Sequence, residues 1–180
     1  MKHPFKLLAG FLLALALSPA SQALTIAPGD ADLSGDETSN NEILKIVEPF
    51  VAPATLLYKS NFDDGTEEGD LKGSYETTFS PDKDPTEATI TYLGGNFVGP
   101  IAWLLVKDGN AMPGWYLFNL TNLGWNGTDT LELSGFWAGT QGAISYVALY
   151  GTEAVPEPGT MALIGLGLLG LGLAARRRLT

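Results

Sequence analysis

The chain has 180 residues, a formal net charge of −10, one histidine and no cysteine. The histidine is His3, so the remainder of the chain offers neither imidazole nor thiolate. This composition excludes Ser-His-Asp and Cys-His nucleophile systems, and also the usual zinc, copper and haem sites, because all of these need those groups. Disulfides are excluded too, so an exported domain must be stable through packing alone or through a bound ion.

The first 23 residues have the pattern of a secretory signal peptide. Lys2 and Lys6 form a positive segment, residues 7–17 form an apolar helical segment, and residues 21–23 form a small-x-small site. The apolar segment is too short to span a bilayer, which disfavours a retained anchor. We predict cleavage by signal peptidase after Ala23.

Residues 24–154 form the candidate mature body, which is long enough for one domain with a hydrophobic core. Removing both terminal signals leaves five basic and 19 acidic residues, a net charge of about −14. This charge disfavours nucleic acid and anionic lipid as partners. A paired-carboxylate glycosidase remains chemically open, but in so acidic a chain carboxylates are abundant without being catalytic. We therefore expect that the protein is not an enzyme.

An acidic lead-in, residues 24–52, has two interpretations. In the first, alternating oxygen ligands and a turning glycine form a calcium loop. The end of that loop does not fit, because the twelfth position is Asn41 and the carboxylate of Glu42 comes one place late. If calcium binds, it should raise the melting temperature; no other cofactor is expected. The candidate ligands are Asp30, Asp32, Ser34, Asp36 and Glu42.

The second and favoured interpretation of the lead-in is a polar segment that runs into a short helix. Ser39 or Asn40 would cap this helix, which we predict over Asn41–Val47, and Pro49 would end it. The acidic stretch 61–70 is interpreted in the same way, as a solvated loop, with a second ion site as the alternative.

Beyond the lead-in, residues 53–152 alternate with a period of two. Seven short runs rich in Thr, Val, Ile and aromatic residues are separated by turn residues, and we predict an antiparallel, jelly-roll-like β-sandwich of about seven strands. Asp-Gly at 108–109 and Asn-Gly at 126–127 are expected to turn the chain through positive φ. In the run 130–133, Glu132 should be exposed and its leucine neighbours buried. The predicted strands are Ala54–Lys59, Tyr75–Phe79, Ala88–Tyr92, Ile101–Lys107, Trp115–Leu120, Thr130–Leu133 and Ile144–Tyr150.

The aromatic residues of this region have two interpretations. Their rings can fill the core, which is favoured because a domain without disulfides depends on large buried side chains. Alternatively, flat exposed rings can stack on pyranose rings, with polar edges meeting the sugar hydroxyls. Trp125 and Trp137 adjoin glycine-rich turns, so we expect these two to be the most exposed and to be the candidate carbohydrate contacts.

The carboxyl-terminal segment 153–180 combines three patterns. Pro156, Glu157 and Pro158 form an extended motif, because each proline removes a donor and biases its predecessor away from helix. An uncharged run follows and is predicted to be a transmembrane helix over 160–175. Arg176, Arg177 and Arg178 then place the end in the cytoplasm and the body outside. The membrane-anchoring side chains are Met161, Leu163, Ile164, Leu166, Leu168, Leu169, Leu171 and Leu173.

The succession V-P-E-P-G-T, Gly/Leu-rich span and arginine cluster resembles the PEP-CTERM sorting signal of exopolysaccharide-producing Gram-negative bacteria. The resemblance implies that exosortase recognises Pro156, Glu157 and Pro158, removes the tail and sorts the protein to the cell surface or matrix. An ordinary single-pass anchor is the alternative.

A second resemblance concerns the body from Ile101 to Gly151. Its W-L-L-V-K-D-G, W-Y-L-F-N-L and G-A-I-S-Y-V-A-L-Y-G segments are similar to a small sandwich domain that recurs in PEP-CTERM surface proteins. The implied function is an exported, inner-membrane-anchored protein that reaches the surface or polysaccharide matrix, with a structural or adhesive body. The alternative is a carbohydrate-binding module, stabilised by calcium, with polysaccharide as the partner.

Overall fold

A computed structural model describes residues 23–156 and, further along, Gly165, Gly167 and Leu168. In this part of the chain, ten β-strands form two sheets, and an α-helix packs on one of them. A short 3-10 turn, Pro28–Asp30, joins the first two strands. The elements are β1 (Ala23–Ile26), β2 (Leu33–Gly35), α1 (Asn40–Val51), β3 (Thr55–Asn61), β4 (Glu67–Glu68), β5 (Tyr75–Ser80), β6 (Glu87–Tyr92), β7 (Phe97–Lys107), β8 (Trp115–Asn119), β9 (Thr130–Leu133) and β10 (Tyr146–Ala154).

The smaller sheet has the strand order β1-β9-β6-β5, and the larger sheet has the order β2-β8-β7-β10-β3-β4. The pairings are antiparallel except that between β1 and β9, which is parallel. The predicted mostly-β fold of two sheets is therefore confirmed. All seven predicted strands are present, with ends shifted by up to four residues.

Three strands were not predicted, and each of them adds an edge strand to one of the sheets. β1 pairs with β9 and β2 pairs with β8, so the lead-in contributes one strand to each sheet instead of preceding them. β1, β2 and β4 contain only four, three and two residues, respectively. Segments this short show too little alternation for a period of two to be recognised.

The main core lies between the two sheets and contains alternate residues of the predicted strands. Leu131 and Leu133 are buried and Glu132 is exposed, as the alternation predicts. Leu104, Phe118 and Leu149 enter the same core from the larger sheet. Other large, fully buried side chains of this core include Tyr58, Tyr75, Phe136, Ile26, Leu71 and Ile90.

Helix α1 covers the outer face of the larger sheet. Ile43, Val47 and Val51 recur at intervals of four and are buried in a second core with Leu105 and Trp115 of the sheet. This apolar stripe explains why the segment is helical although its propensity is modest, because burial of one face supplies most helix stability in proteins.

The prediction that Pro49 ends this helix is wrong. α1 continues to Val51, with Pro49 inside its last turn. Pro49 and Lys45 are both exposed, so the Lys45 carbonyl that lacks an amide partner at Pro49 can be solvated. Burial of Val51 in the second core holds the last turn in place.

The two glycine turns differ in mechanism. Gly127 has φ +88°, as expected for Asn-Gly, and the Asn126 side-chain oxygen accepts the Thr128 and Asp129 amides. At the other turn, by contrast, positive φ is not used. There the buried Asp108 carboxylate accepts the amides of Asn110, Ala111 and Ala143 and so organises the β7–β8 connection.

The contact between Glu37 and Trp115 predicts a pH-dependent contribution to stability. The indole Nε1 of Trp115 donates to Glu37 Oε2 over 2.9 Å, and this hydrogen bond lowers the pKa of Glu37 below its usual range. A lowered pKa stabilises the folded state above the unfolded-state pKa, and the contribution is lost as the pH falls through the folded-state pKa.

We therefore expect E37Q to lower the melting temperature modestly at pH 7, because the amide oxygen accepts a weaker hydrogen bond than the carboxylate. The difference from wild type should disappear at a second, more acidic pH, below the lowered pKa of Glu37, where the carboxylate is protonated. Thermal melts of both proteins at the two pH values test this. A difference that is equally large in acid would contradict it.

Candidate functional site

The final strand of the body runs directly into the predicted sorting motif. β10 ends at Ala154, and Val155 and Pro156 follow it as exposed residues, with Val155 70% exposed. Glu157, Pro158 and the arginine cluster 176–178 lie outside the described residues. The chain is thus accessible at the beginning of the motif, directly after the strand.

β10 occupies the centre of the larger sheet, where it pairs with β7 on one side and β3 on the other. Its pairing with β7 continues to Ala154, which lies opposite Phe97. Cleavage of the chain beyond Pro156 would therefore leave all strand pairings of β10 intact.

Most of the predicted terminal helices cannot be compared with the structure. The signal segment 1–22 lies outside the described residues, as does the predicted transmembrane helix 160–175 apart from Gly165, Gly167 and Leu168. Across the described part of the chain, no helix combines the length and apolarity needed to cross a membrane. Ala23, the predicted signal-peptidase site, is the first residue of β1.

The two tryptophans predicted to be exposed are buried. Trp125 is 7% exposed and Trp137 is 5% exposed. Their indole nitrogens donate to the carbonyls of Asp129 and Pro113, respectively, each over 2.7 Å. The prediction of carbohydrate contact through these rings therefore loses its basis. Long-range packing overrides the adjacent glycines, and it holds Trp137 at φ +52° against Phe136 and Tyr116.

The candidate calcium ligands do not form an EF-hand-like loop. The Asp30 carboxylate accepts the Ala27 amide and the Asp32 carboxylate accepts the Asn119 amide. Ser34 lies in β2, an extended strand, and not in the sharply turning loop that an EF-hand-like site needs. Glu42 lies in the first turn of α1. Within the described residues, no three acidic side chains are grouped as a metal site.

A polar cleft lies on the outer face of the larger sheet, at the amino-terminal end of α1. Its volume is about 430 Å³. Tyr146 of β10 lies opposite Asn61 of β3 and Lys107 of β7, so adjacent strands bring these three together. The cleft is lined by Asn40, Lys59, Asn61, Asp63, Asp64, Thr66, Glu68, Lys107, Gly109, Ser145 and Tyr146.

The two lysines of this polar cleft have different environments. Lys59 Nζ lies 3.0 Å from Glu68 Oε1 and 4.8 Å from the ring centroid of Tyr146. The hydrogen bond from Lys59 lowers the pKa of Glu68. Lys107 Nζ lies 5.7 Å from the same ring centroid, and burial lowers the pKa of Lys107.

Sequence analysis did not identify the polar cleft as a site. A weak signal was present, because Lys107 continues the alternation of Trp103 and Leu105 and so falls on the face that α1 covers further along. A lysine at an inward position of an apolar strand is unusual enough to mark a possible site.

Comparison with known protein families finds a PEP-CTERM protein-sorting motif at residues 154–178. This is the segment in which the resemblance was identified. The motif implies an exported protein that is membrane-associated before exosortase cleavage, and it implies processing by exosortase. Neither the curated proteins nor the solved structures include a match to this chain.

Proposed function

We propose that the chain is a cell-surface or extracellular-matrix protein of the exopolysaccharide layer, with a structural or adhesive body. Signal peptidase removes residues 1–23, and the segment 160–175 holds the protein in the inner membrane with the body outside. Exosortase then recognises Pro156, Glu157 and Pro158. It cleaves the chain between the body and the carboxyl-terminal segment that carries the arginine cluster. The observation that carries the proposal is the sorting motif at residues 154–178.

The position of the motif supports separation without loss of the fold. Ala154 makes the last β10–β7 pairing, and Val155 and Pro156 are exposed immediately beyond it. A protease could therefore bind the extended segment without breaking a strand pairing.

Three carboxylates of the body accept hydrogen bonds that hold the fold together, which supports a structural body and not a catalytic one. Asp32 and Asp108 accept backbone amides, and Glu37 accepts an indole N–H. Each links two parts of the chain, such as Asp32 to Asn119. These acidic groups serve the fold, and we propose that the protein is not an enzyme.

Replacement of Glu157 with alanine tests the sorting reaction in the native cell. We expect wild type to be released as a body running from Leu24 to near Val155, whereas E157A should stay in the membrane fraction and retain Arg176–Arg178. Intact-mass measurement of both fractions distinguishes these species. E132A, at an exposed position of β9, is the matched control and should be processed like wild type.

Two results would contradict this function. Release of E157A at the wild-type rate would show that Glu157 is not recognised. Wild-type protein found only in the membrane with its arginines intact would show a permanent anchor instead of a sorting signal.

A further inference from the structure

Lys107 lines the polar cleft with most of its side chain buried, and no carboxylate among the described residues forms an ion pair with it, although the charge of the neighbouring Asp108 attracts it. The residue is only 7% exposed, and its ammonium group has no hydrogen bond or ion pair to any part of the described chain. Its one close partner is the Tyr146 ring face, shared with the neighbouring cation of Lys59. The unpaired ammonium group keeps contact with solvent in the cleft. An external anion that replaced this solvent would form a charge-assisted hydrogen bond with it.

The amino-terminal end of α1 adds positive potential to the same wall of the polar cleft. The helix begins at Asn40, which lines the cleft, and the preceding Ser39 makes no side-chain capping hydrogen bond. The first amides of a 12-residue helix carry the positive end of its dipole, which favours an anion nearby. Lys107 and the start of α1 therefore favour negative charge in a ligand, whereas Lys59 is paired with Glu68.

The wall formed by the β3–β4 connection has the opposite character. It presents Asp63, Asp64 and Thr66, together with Glu68, which Lys59 already neutralises. Asp64 Oδ1 accepts the hydroxyl and amide of Thr66, and these hydrogen bonds lower the pKa of Asp64 and keep it charged. A second anionic group would be repelled here, whereas hydroxyl groups would find acceptors.

We propose that the polar cleft binds a sugar that carries a single carboxylate, of the hexuronate class. The carboxylate pairs with Lys107 near the start of α1, and the ring hydroxyls face Asn61, Asp63 and Asp64. A volume of about 430 Å³ falls within the range of small-ligand sites. The inference goes beyond the sorting function and does not depend on it, because binding is measured on purified protein and sorting is measured in cells.

Calorimetric titration of the purified full chain in detergent micelles with sodium glucuronate tests the proposal. Glucose has the hydroxyls without the carboxylate, and acetate has the carboxylate without the hydroxyls. We expect glucuronate to bind at least about tenfold more tightly than either. K107M should weaken glucuronate binding by at least about tenfold, and K45M, at an exposed position of α1, should leave it unchanged.

The location of binding is tested separately, so that the proposal does not depend on the folding of K107M. In NMR spectra of wild type, glucuronate should shift the Tyr146 ring and Asn61 side-chain amide signals. Equal binding of glucuronate and acetate, or of glucuronate and glucose, would overturn the proposal. So would shifts confined to other regions, unchanged affinity in folded K107M, or an absence of heat and of shifts.

Discussion

Replacing Tyr75 with phenylalanine is expected to lower the free energy of unfolding by about 2–4 kcal/mol. The Tyr75 hydroxyl donates to the Gly127 carbonyl over 2.7 Å and accepts the Val98 amide over 2.8 Å. Tyr75 is 1% exposed, and burial raises the pKa of its hydroxyl above its usual range. Phenylalanine would fill the same space and leave both backbone groups unpaired in the core, which is the costly way to lose a hydrogen bond.

The structural reason for so large an effect is that one hydroxyl joins three segments. It connects β5 to the start of β7 and to the β8–β9 connection. The Tyr75 ring also packs against Tyr58, Tyr92 and Trp125, with ring centroids 5.6 to 6.3 Å apart. Y75F retains these ring contacts, so its loss of stability would report the hydrogen bonds alone.

Tyr92 provides the matched control, because its hydroxyl donates to the Gly95 carbonyl at an exposed site. There water can replace the lost partner, so Y92F should cost less than about 1 kcal/mol. Urea unfolding of both variants, followed by tryptophan fluorescence, gives the comparison. Equal losses in the two variants would show that the buried hydroxyl does not have the structural role inferred here.

Replacing Gly127 with alanine is expected to lower the free energy of unfolding by about 3–5 kcal/mol. A Cβ atom at this position would lie 2.1 Å from the Val98 carbonyl oxygen and 2.7 Å from Cδ2 of Phe97. Gly127 also has φ +88°, which L residues with a side chain rarely adopt. The backbone would have to move, and the hydrogen bond from Tyr75 to the Gly127 carbonyl would move with it.

A comparison with Gly124 distinguishes the cost of backbone strain at positive φ from the cost of the steric clash. Its φ is +81°, close to that of Gly127, but a Cβ atom there would meet nothing within 4 Å. G124A should therefore show only the backbone strain, about 1–2 kcal/mol. Urea unfolding of G124A and G127A measures the difference. If G127A were as stable as G124A, the close approach of Gly127 to β7 would not constrain the fold.

The amino-acid sequence by itself determined the features that depend on neighbouring residues. The sorting motif is a local pattern, and it is found at residues 154–178. The strand Thr130–Leu133 is likewise local, because alternation alone places Leu131 and Leu133 inside and Glu132 outside. Period-two patterns of this kind predict a strand wherever one face of the sheet is buried.

Only the tertiary structure decided which aromatic rings are exposed and at which residue α1 ends. Trp125 and Trp137 adjoin glycine turns, yet their environments are set by distant partners such as Pro113, 24 residues from Trp137. In the same way, Val51 is buried against the larger sheet and extends α1 past Pro49. Packing energy gained over long sequence separations outweighs these local preferences.

The polar cleft depends on tertiary structure to the greatest extent. Asn61, Lys107 and Tyr146 are far apart in the sequence and become neighbours only because β10 pairs with β3 and with β7. Strand order and register are long-range properties that alternation within one strand does not specify. The sequence therefore determined the sorting signal and most strands, whereas the pairing of distant strands brought the buried lysine, the tyrosine ring and the start of α1 into one cleft.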